Sequence, residues 1–528
     1  MKIISLLKKG YFPKELPPAF TTEYFANKYS AIAKDYRKLG IREKSESKCV
    51  NFSILRQFYS RRDLGIPNPI HQSNLSKCIC DNWAQINRFY KKSRISASKP
   101  IVDLSHKRAV RTNSFAEFKK LRLLNSYDKI YELKTDISRF YATLYTHAIP
   151  WALHTKAVAK RPPRDPRLLG NVLDKSIRAC QARQSIGIPV GPDTSLIIAE
   201  IISCEIDNIL QNKFKDLRGY RYYDDYYFFF SKLEDAEKVL KEYQCTLTSL
   251  NLDINEEKTE IREHPIPSDK VWAIEIGSFR FRNSDKTQEN DLEKFFSISF
   301  KFAKENPKDS VLKYAIKKIE YIKIRNKNWP FFESLLLKTA LVAPLTLPEV
   351  TRILYSYSKR VDKSKVKNVV EQIIEKHVLM GHSFEVSWSL WLAKTFHLKI
   401  NDDIAKHIFN SSDVISILIA LDLKSMRLID SKVDTSSLLN ELTENSLYDD
   451  KWLLTYESII KKWLNPTSDP VSIEPYFKTL KKHKVRFYDG TKQVEIIKFK
   501  KRRRAPTPFP GLARHLRMFY ADEEPDEI

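Results

Sequence analysis

The residues most able to do chemistry lie in one run, Gly219-Tyr220-Arg221-Tyr222-Tyr223-Asp224-Asp225-Tyr226-Tyr227-Phe228-Phe229-Phe230. Aromatic residues favour extended chain on both sides and adjacent aspartates favour a tight turn, so the run predicts a β-hairpin with Asp224 and Asp225 at its tip. Paired carboxylates repel each other unless a cation neutralises them, and hard divalent ions such as Mg²⁺ prefer carboxylate oxygens together with phosphates. Taken alone, the pattern is explained equally well by a solvated Asp-Asp turn. A third acid changes that balance. Asp136 ends the strand-like run beginning Ile130-Tyr131-Glu132-Leu133 and precedes helical spacing at Phe140, Leu144 and Tyr145. A carboxylate from a separate strand, brought beside the hairpin tip, is what two-metal phosphoryl transfer needs: one ion activates the attacking hydroxyl and the other steadies the leaving group. Between these acids lies Gly187-Ile188-Pro189-Val190-Gly191-Pro192-Asp193-Thr194-Ser195. Its glycines would let backbone approach a nucleotide or base pair, or the segment is a plain loop-to-helix junction with Asp193 or Thr194 near the cap.

The elements that must position these residues follow from periodicity. Residues 1 to about 95 mix aromatic and basic residues with short apolar runs, and Leu64-Gly65-Ile66-Pro67-Asn68-Pro69 predicts a loop leading into a helix. Leu75, Cys78, Ile79, Trp83, Ile86, Phe89 and Tyr90 recur at three and four, the signature of one helical face. From about 130 to 285 strand-like and helical runs alternate, an α+β region containing a helix from about 194 to 210. Beyond about 285 helical periodicity dominates, as in Val366, Val369, Val370, Ile373 and Ile374, which suggests a stacked helical array without a firm repeat. The predicted division is 1–285 for the α+β part and 286–528 for an all-α part with a basic tail. His147 and His154 are expected to pack or hydrogen-bond rather than bind metal, and Trp388, Trp391 and Phe396 to form helix core.

Composition narrows the partners. The 528 residues carry 91 Lys+Arg against 65 Asp+Glu, a formal charge of +26, which suits binding to a polyanion such as nucleic acid. With 42% hydrophobic and 30% charged residues the chain reads as globular, neither disordered nor fibrous. Only 11 glycines are present, and neither G-x-G-x-x-G nor G-x-x-x-x-G-K-[ST] occurs, which argues against folds built on phosphate-cradling glycine loops. The six cysteines lack zinc-ribbon spacing and are expected to be reduced core thiols. No secretory leader or long apolar stretch is evident, so a cytoplasmic location without membrane contact is expected. Lys500, Lys501, Arg502, Arg503 and Arg504 form a basic cluster able to neutralise phosphates or to remain a solvated run.

In order, the Asp136 strand, the Gly-x-Pro-x-Gly turn with its helix and the Tyr-x-Asp-Asp hairpin resemble motifs A, B and C of reverse transcriptases. Leu252-Asp253-Ile254-Asn255-Glu256-Glu257-Lys258-Thr259 is similar to motif D and Glu275-Ile276-Gly277-Ser278-Phe279 to motif E. The surroundings, Asp136-Ile-Ser-Arg-Phe-Tyr141 followed by Tyr145-Thr-His-Ala-Ile-Pro-Trp-Ala-Leu153, and Gly187 to Ser195 followed by Ile198-Ala-Glu-Ile201, resemble the bacterial defence-associated reverse transcriptases of the abortive-infection group, as does Phe384-Glu385-Val386-Ser387-Trp388-Ser389-Leu390-Trp391. The resemblance implies right-hand fingers and palm followed by a helical-repeat domain, Mg²⁺ (or Mn²⁺) as cofactor, dNTPs as substrates, a DNA product, an RNA template where one is used, a homo-oligomer and an antiviral role. It implies catalytic and metal-binding roles for Asp136, Asp224 and Asp225. Tyr141 would wall off a ribose 2′-OH; Arg108, Arg111, Gly191 and Lys258 would lie about the nucleotide. Pro189-Val190-Gly191 departs from the Pro-Gln-Gly of many reverse transcriptases and removes an amide contact, which fits the untemplated, protein-primed synthesis of some group members. The rival expectations are a nucleic-acid-binding scaffold that retains the polymerase fold, and a conventional RNA-templated retroelement enzyme.

Overall fold

The computed structural model describes residues 1–39, 46–57, 60–162, 165, 167–267 and 269–499. The basic cluster from Lys500 to Arg504 lies outside the described residues. An antiparallel arm near the N-terminus pairs β1 (Val50–Gln57) with β2 (Ser60–Ile66). Sequence patterning does not predict these strands, although Val50, Phe52 and Ile54 alternate with Asn51 and Ser53. The alternation is short and lacks an Asn-Gly or Gly-X turn, so the local signal is weak. A second small hairpin joins β3 (Ile101–Val102) to β4 (Val110–Arg111).

The central sheet has four strands in the order β6-β7-β5-β8, all antiparallel: β5 (Tyr131–Asp136), β6 (Gly219–Tyr222), β7 (Asp225–Phe230) and β8 (Glu260–Glu263). Tyr226, Phe228 and Phe229 are buried, so β7 is held on both faces, as a central strand should be. The helix Asp193–Lys213 is lined with buried Ile197, Ile198, Ile201, Ile202 and Ile206, and it shares one apolar core with Leu133, Tyr226, Phe228 and the helix Leu233–Ser249. The single amphipathic helix expected from Leu75 to Tyr90 is two, Pro69–Asp81 and Trp83–Tyr90, broken at Asn82, whose side-chain amide donates to the Cys78 carbonyl.

From Asp285 onward the described residues form helices without strands, in accord with the all-α expectation. Helix Trp329–Val342 packs on Lys363–Val378, and Leu347–Ser356 on Ser383–Phe396, giving stacked layers. Trp388, Trp391 and Phe396 are buried among them. This large core also takes in Tyr11, Phe25, Phe52 and Ile66, so these residues of the N-terminal segment pack with the helical half. His147 Nδ1 lies 2.8 Å from Asp174, and His154 Nε2 accepts from Gly170 N at 3.1 Å, both hydrogen-bonding roles as expected. Of the cysteines, Cys180 and Cys204 are buried but Cys245 is exposed, against the expectation of core thiols throughout.

A seam closes the N-terminal segment onto the last described residues: Thr21 N donates to Phe487 O (2.9 Å) and Asp489 N to Ala19 O (2.7 Å). Beneath it, Glu457 accepts from Phe487 N at 2.5 Å, and burial pushes its carboxyl up to about 8. The protonated form is therefore favoured in the folded state. Its stabilisation is complete below the ordinary value near 4.5 and is lost as pH rises through about 8. Thermal stability is expected to fall across that window by up to about 1.4 kcal/mol per pH unit, and Glu457→Gln to flatten the slope. Melting curves of both proteins from pH 5 to 8 check this; parallel slopes would refute it.

Candidate active site

Strand pairing brings the acids together. Asp136, the last residue of β5, sits directly opposite Asp225, the first of β7. Directly opposed residues of an antiparallel pair project from the same face about 5 Å apart. Asp224 occupies the two-residue turn between β6 and β7, immediately before Asp225. Burial, then the charges of Asp136 and Asp225, push the Asp224 carboxyl up to about 7. Burial and Asp136 likewise raise Asp225, opposed by Lys258, Lys134 and Arg56. Asp136 is 1% exposed. Its Oδ2 accepts from Lys258 Nζ and from Asn255 Nδ2 (3.2 Å), while Oδ1 is buried without a protein partner. An orphaned carboxylate oxygen beside two mutually repelling carboxyls is the donor set that a hard divalent cation satisfies, so these residues fit such an ion.

The turn itself is strained and clamped. Tyr223 has φ +58°, a left-handed conformation that costs a side-chain-bearing residue about 1–3 kcal/mol. Three contacts hold it: Tyr223 N donates to Ser98 Oγ (2.8 Å), its carbonyl accepts from Arg221 Nη1 (2.9 Å), and its hydroxyl meets Thr112 Oγ1 (2.9 Å). Arg221 is fully buried and bridges Glu200 and Asp207 of the helix Asp193–Lys213, each within 2.9 Å. Ser96 donates to Glu200 (2.6 Å) and Ser93 to Asp207 (2.7 Å). Sequence patterning alone does not reveal this network. Its signal is present, since Glu200 and Asp207 are seven apart on an apolar helix and Arg221 lies within an aromatic strand, but nothing local pairs them.

The remaining candidate residues are placed as follows. Tyr141 lies beside the acids: burial, then the Asp224 charge, raises its hydroxyl well above the usual range, with Arg62 opposing. Its carbonyl accepts from Ile188 N (2.8 Å), joining it to the Gly187–Gly191 turn. Gly191 has φ +123°, and a Cβ there would come 2.7 Å from Pro13 Cγ; a Cβ at Gly187 would meet the Ala142 carbonyl at 3.0 Å. These glycines therefore serve backbone conformation and internal packing, with Pro13 covering the face of Gly191 where a nucleotide was expected. Arg108 is a clamp. Its guanidinium donates to Asp193 Oδ1, Gly191 O (2.9 Å) and Phe12 O (2.6 Å), and its side chain is 18% exposed. Asp193 is thus a hub for β4 rather than a helix cap, accepting also from Ala109 N (3.0 Å) and Val110 N (3.3 Å). Arg111 pairs with Asp103 at 3.0 Å. The two cations expected to face phosphates are thus engaged with protein acceptors. The segment from Glu275 to Phe279, similar to motif E, falls largely in the helix Val271–Ser278.

Among the described residues no helix is long and apolar enough to cross a membrane. No curated protein matches the chain in sequence. Solved structures align at low similarity. Apo telomerase from Candida tropicalis, truncated from the C-terminal domain, is 15% identical with a TM-score of 0.32, covering 46% of this chain and 56% of that one. The chain therefore spans little more than half of that structure. Telomerase from Candida tropicalis with a fragment of telomeric RNA is 12% identical (TM-score 0.32, 75% of this chain and 68% of that one). The Candida albicans counterpart is also 12% identical (TM-score 0.30, 76% and 70%). Residues 84–288 match the family described as reverse transcriptase (RNA-dependent DNA polymerase), a span that contains Asp136, Tyr141, Gly191, Asp224, Asp225 and Lys258. The stretch from 84 to 288 is thus similar to the reverse-transcriptase family, and a helical half follows it.

Proposed function

We propose that the protein is a Mg²⁺-dependent DNA polymerase that joins dNTPs to a 3′-hydroxyl, and in its first step to a hydroxyl of the protein itself, in bacterial defence against phage. The observation that carries the reading is the meeting of Asp136, Asp224 and Asp225 at the end of the β5–β7 ladder, with an orphaned oxygen on Asp136. These three carboxylates would hold the divalent ions, which supply charge stabilisation for the phosphoryl group and lower the pKa of the attacking hydroxyl. The chain's own residues do the rest. The Arg221 network fixes the hairpin tip, and Lys258 and Asn255 orient Asp136. Tyr141 stands between the acids and the Gly187–Gly191 turn, where its ring would meet the sugar of an incoming nucleotide. The defence role rests on the motif surroundings of Asp136 and Gly187, and the replacement of glutamine by Val190 supports synthesis without a conventional template.

The test is incubation of the purified chain with each dNTP and Mg²⁺, products being resolved with and without protease. Label that shifts on proteolysis supports protein priming, and no incorporation of any dNTP, with or without a primed RNA template, would reject the polymerase reading. Phage protection that survives Asp224→Ala would favour a nucleic-acid-binding scaffold instead. For Tyr141→Ala, ribonucleotide incorporation relative to deoxyribonucleotide is expected to rise by about 10-fold or more, because a steric wall is removed while the deoxy substrate loses little. An unchanged ratio would remove Tyr141 from sugar selection.

A further inference from the structure

In the helical half, Lys363–Val378 and Ser383–Phe396 pack on each other and are joined by Leu379-Met380-Gly381-His382. Gly381 has φ +65°, the left-handed value with which glycine ends a helix at no steric cost. The chain therefore turns back sharply, and His382 N donates to His377 O at 3.2 Å. That turn sets two imidazoles face to face: Nδ1 of His377 lies 2.7 Å from Nδ1 of His382, with ring centroids 5.0 Å apart. Glu385 follows His382 by three residues, which puts both on one side of the helix start. One ligand atom from each of His377, His382 and Glu385 lies within 4.8 Å of the other two.

The arrangement suits a dication of the zinc type. Two ring nitrogens 2.7 Å apart cannot both carry a proton toward each other, so at least one presents a bare lone pair and one proton at most lies between them. A metal ion takes the place of that proton and uses both lone pairs. Tetrahedral ligation at about 2.0–2.1 Å spaces its nitrogens about 3.3 Å apart, so the rings need part by only about 0.6 Å. Glu385 accepts from Arg61 Nη1 at 2.9 Å and from Nη2 at 2.7 Å, one bond to each carboxylate oxygen. Each oxygen keeps a second lone pair, and a carboxylate oriented by an outer hydrogen-bond partner is the usual form of a metal ligand. Glu385 is 1% and His377 9% exposed, while His382 is partly open to solvent and leaves the ion a way in. The spacing His377-x4-His382 also falls within the range seen in zinc sites.

We propose that His377, His382 and Glu385 bind one Zn²⁺, with water as the fourth ligand, and that the ion braces the turn between the two helices against the β1–β2 arm. The brace runs through Arg61 of β2, and the Phe52 ring of β1 lies 6.2 Å from Phe384 beside it. Farther along β2, Gly65 N donates to Val190 O at 2.9 Å, so the arm reaches the turn next to Tyr141. The donor sets separate the two metal sites. Two imidazoles and one carboxylate select Zn²⁺, whereas Asp136, Asp224 and Asp225 offer only oxygens and suit Mg²⁺. The zinc site stands whether or not the chain is a polymerase.

The experiment uses the full chain, stripped with a chelator, and the variants His382→Asn, His377→Gln and Asp224→Ala. Zn²⁺ is titrated against a chromogenic chelator in excess Mg²⁺, and Co²⁺ is added separately as a spectroscopic probe. Wild type and Asp224→Ala are expected to bind one Zn²⁺ per chain with Kd of about 1 μM or tighter, and to give the intense visible absorption of tetrahedral Co²⁺. His382→Asn is expected to lose about 100-fold in Zn²⁺ affinity and the Co²⁺ bands with it. Zinc at about a hundredfold over Kd should raise the melting temperature of wild type by about 5–10 °C and leave that of His382→Asn unchanged. Because His382 is partly exposed, that variant is expected to fold as wild type does without metal; His377→Gln, at a buried position, gives a second reading of the same loss. Wild-type protein that takes up no Zn²⁺ at about 100 μM overturns the proposal and leaves the two histidines as a hydrogen-bonded pair. So does affinity equal to wild type in both histidine variants, or Zn²⁺ that excess Mg²⁺ displaces or Asp224→Ala abolishes, since the ion would then sit at the acids.

Discussion

Asp224→Ala is expected to abolish nucleotide incorporation, by at least about 10³-fold, because losing one ion-binding carboxylate forfeits several kcal/mol of charge stabilisation in the transition state. The same variant is expected to melt at or above the wild-type temperature in the absence of divalent ions. Asp224 is buried against Asp136 and Asp225, its carboxyl is raised to about 7, and near neutral pH that raised value is a cost to the folded state which alanine removes. Loss of activity with unimpaired or improved stability marks a residue held in an unfavourable environment for its chemistry. Asp136→Ala should match the loss of activity. Undiminished incorporation by either variant would sink the metal role. A fall in both activity and melting temperature would make Asp224 a structural residue instead.

Arg221→Met is expected to have the largest effect on the fold. Arg221 is fully enclosed and neutralises Glu200 and Asp207 together, so its removal leaves two buried carboxylates without a cation. Removing one partner of a buried ion pair costs about 3–5 kcal/mol, a drop of roughly 6–20 °C in melting temperature for a domain of this size. Incorporation is expected to fall as well, since the Tyr223 carbonyl loses its donor and the left-handed turn carrying Asp224 loses a restraint. Adding Glu200→Gln and Asp207→Asn to Arg221→Met should restore much of the stability, because the buried charges are then gone, yet restore little activity. A single variant as stable as wild type would show the network to be solvated in a way that these contacts do not suggest.

The site is legible in the sequence where its geometry is local. Aromatic arms around Asp224-Asp225 make a hairpin whatever surrounds them, and the strand run before Asp136 places that acid at a strand end. The helix after Pro192 and the change to helical periodicity after Asp285 are equally readable, since periods of two and of three to four are properties of neighbouring residues. The β1–β2 arm is not readable in the same way, because Val50, Phe52 and Ile54 offer a short alternation without a turn signal. The resemblance implies nucleotide contacts for Arg108 and Arg111, whereas Asp193 and Asp103 hold them. The pattern around Gly191 suggests a backbone open to a ligand, and Pro13 covers it.

By itself the sequence determined which acids are candidates for the chemistry, their order and the type of element that carries each, because strand, turn and helix preferences act over a few residues. Tertiary structure alone decided which cations are engaged by which protein acids. Arg61 meets Glu385 across 324 positions and Arg108 meets Asp193 across 85. The field at a carboxylate depends on distance in space, which a linear order of residues does not contain.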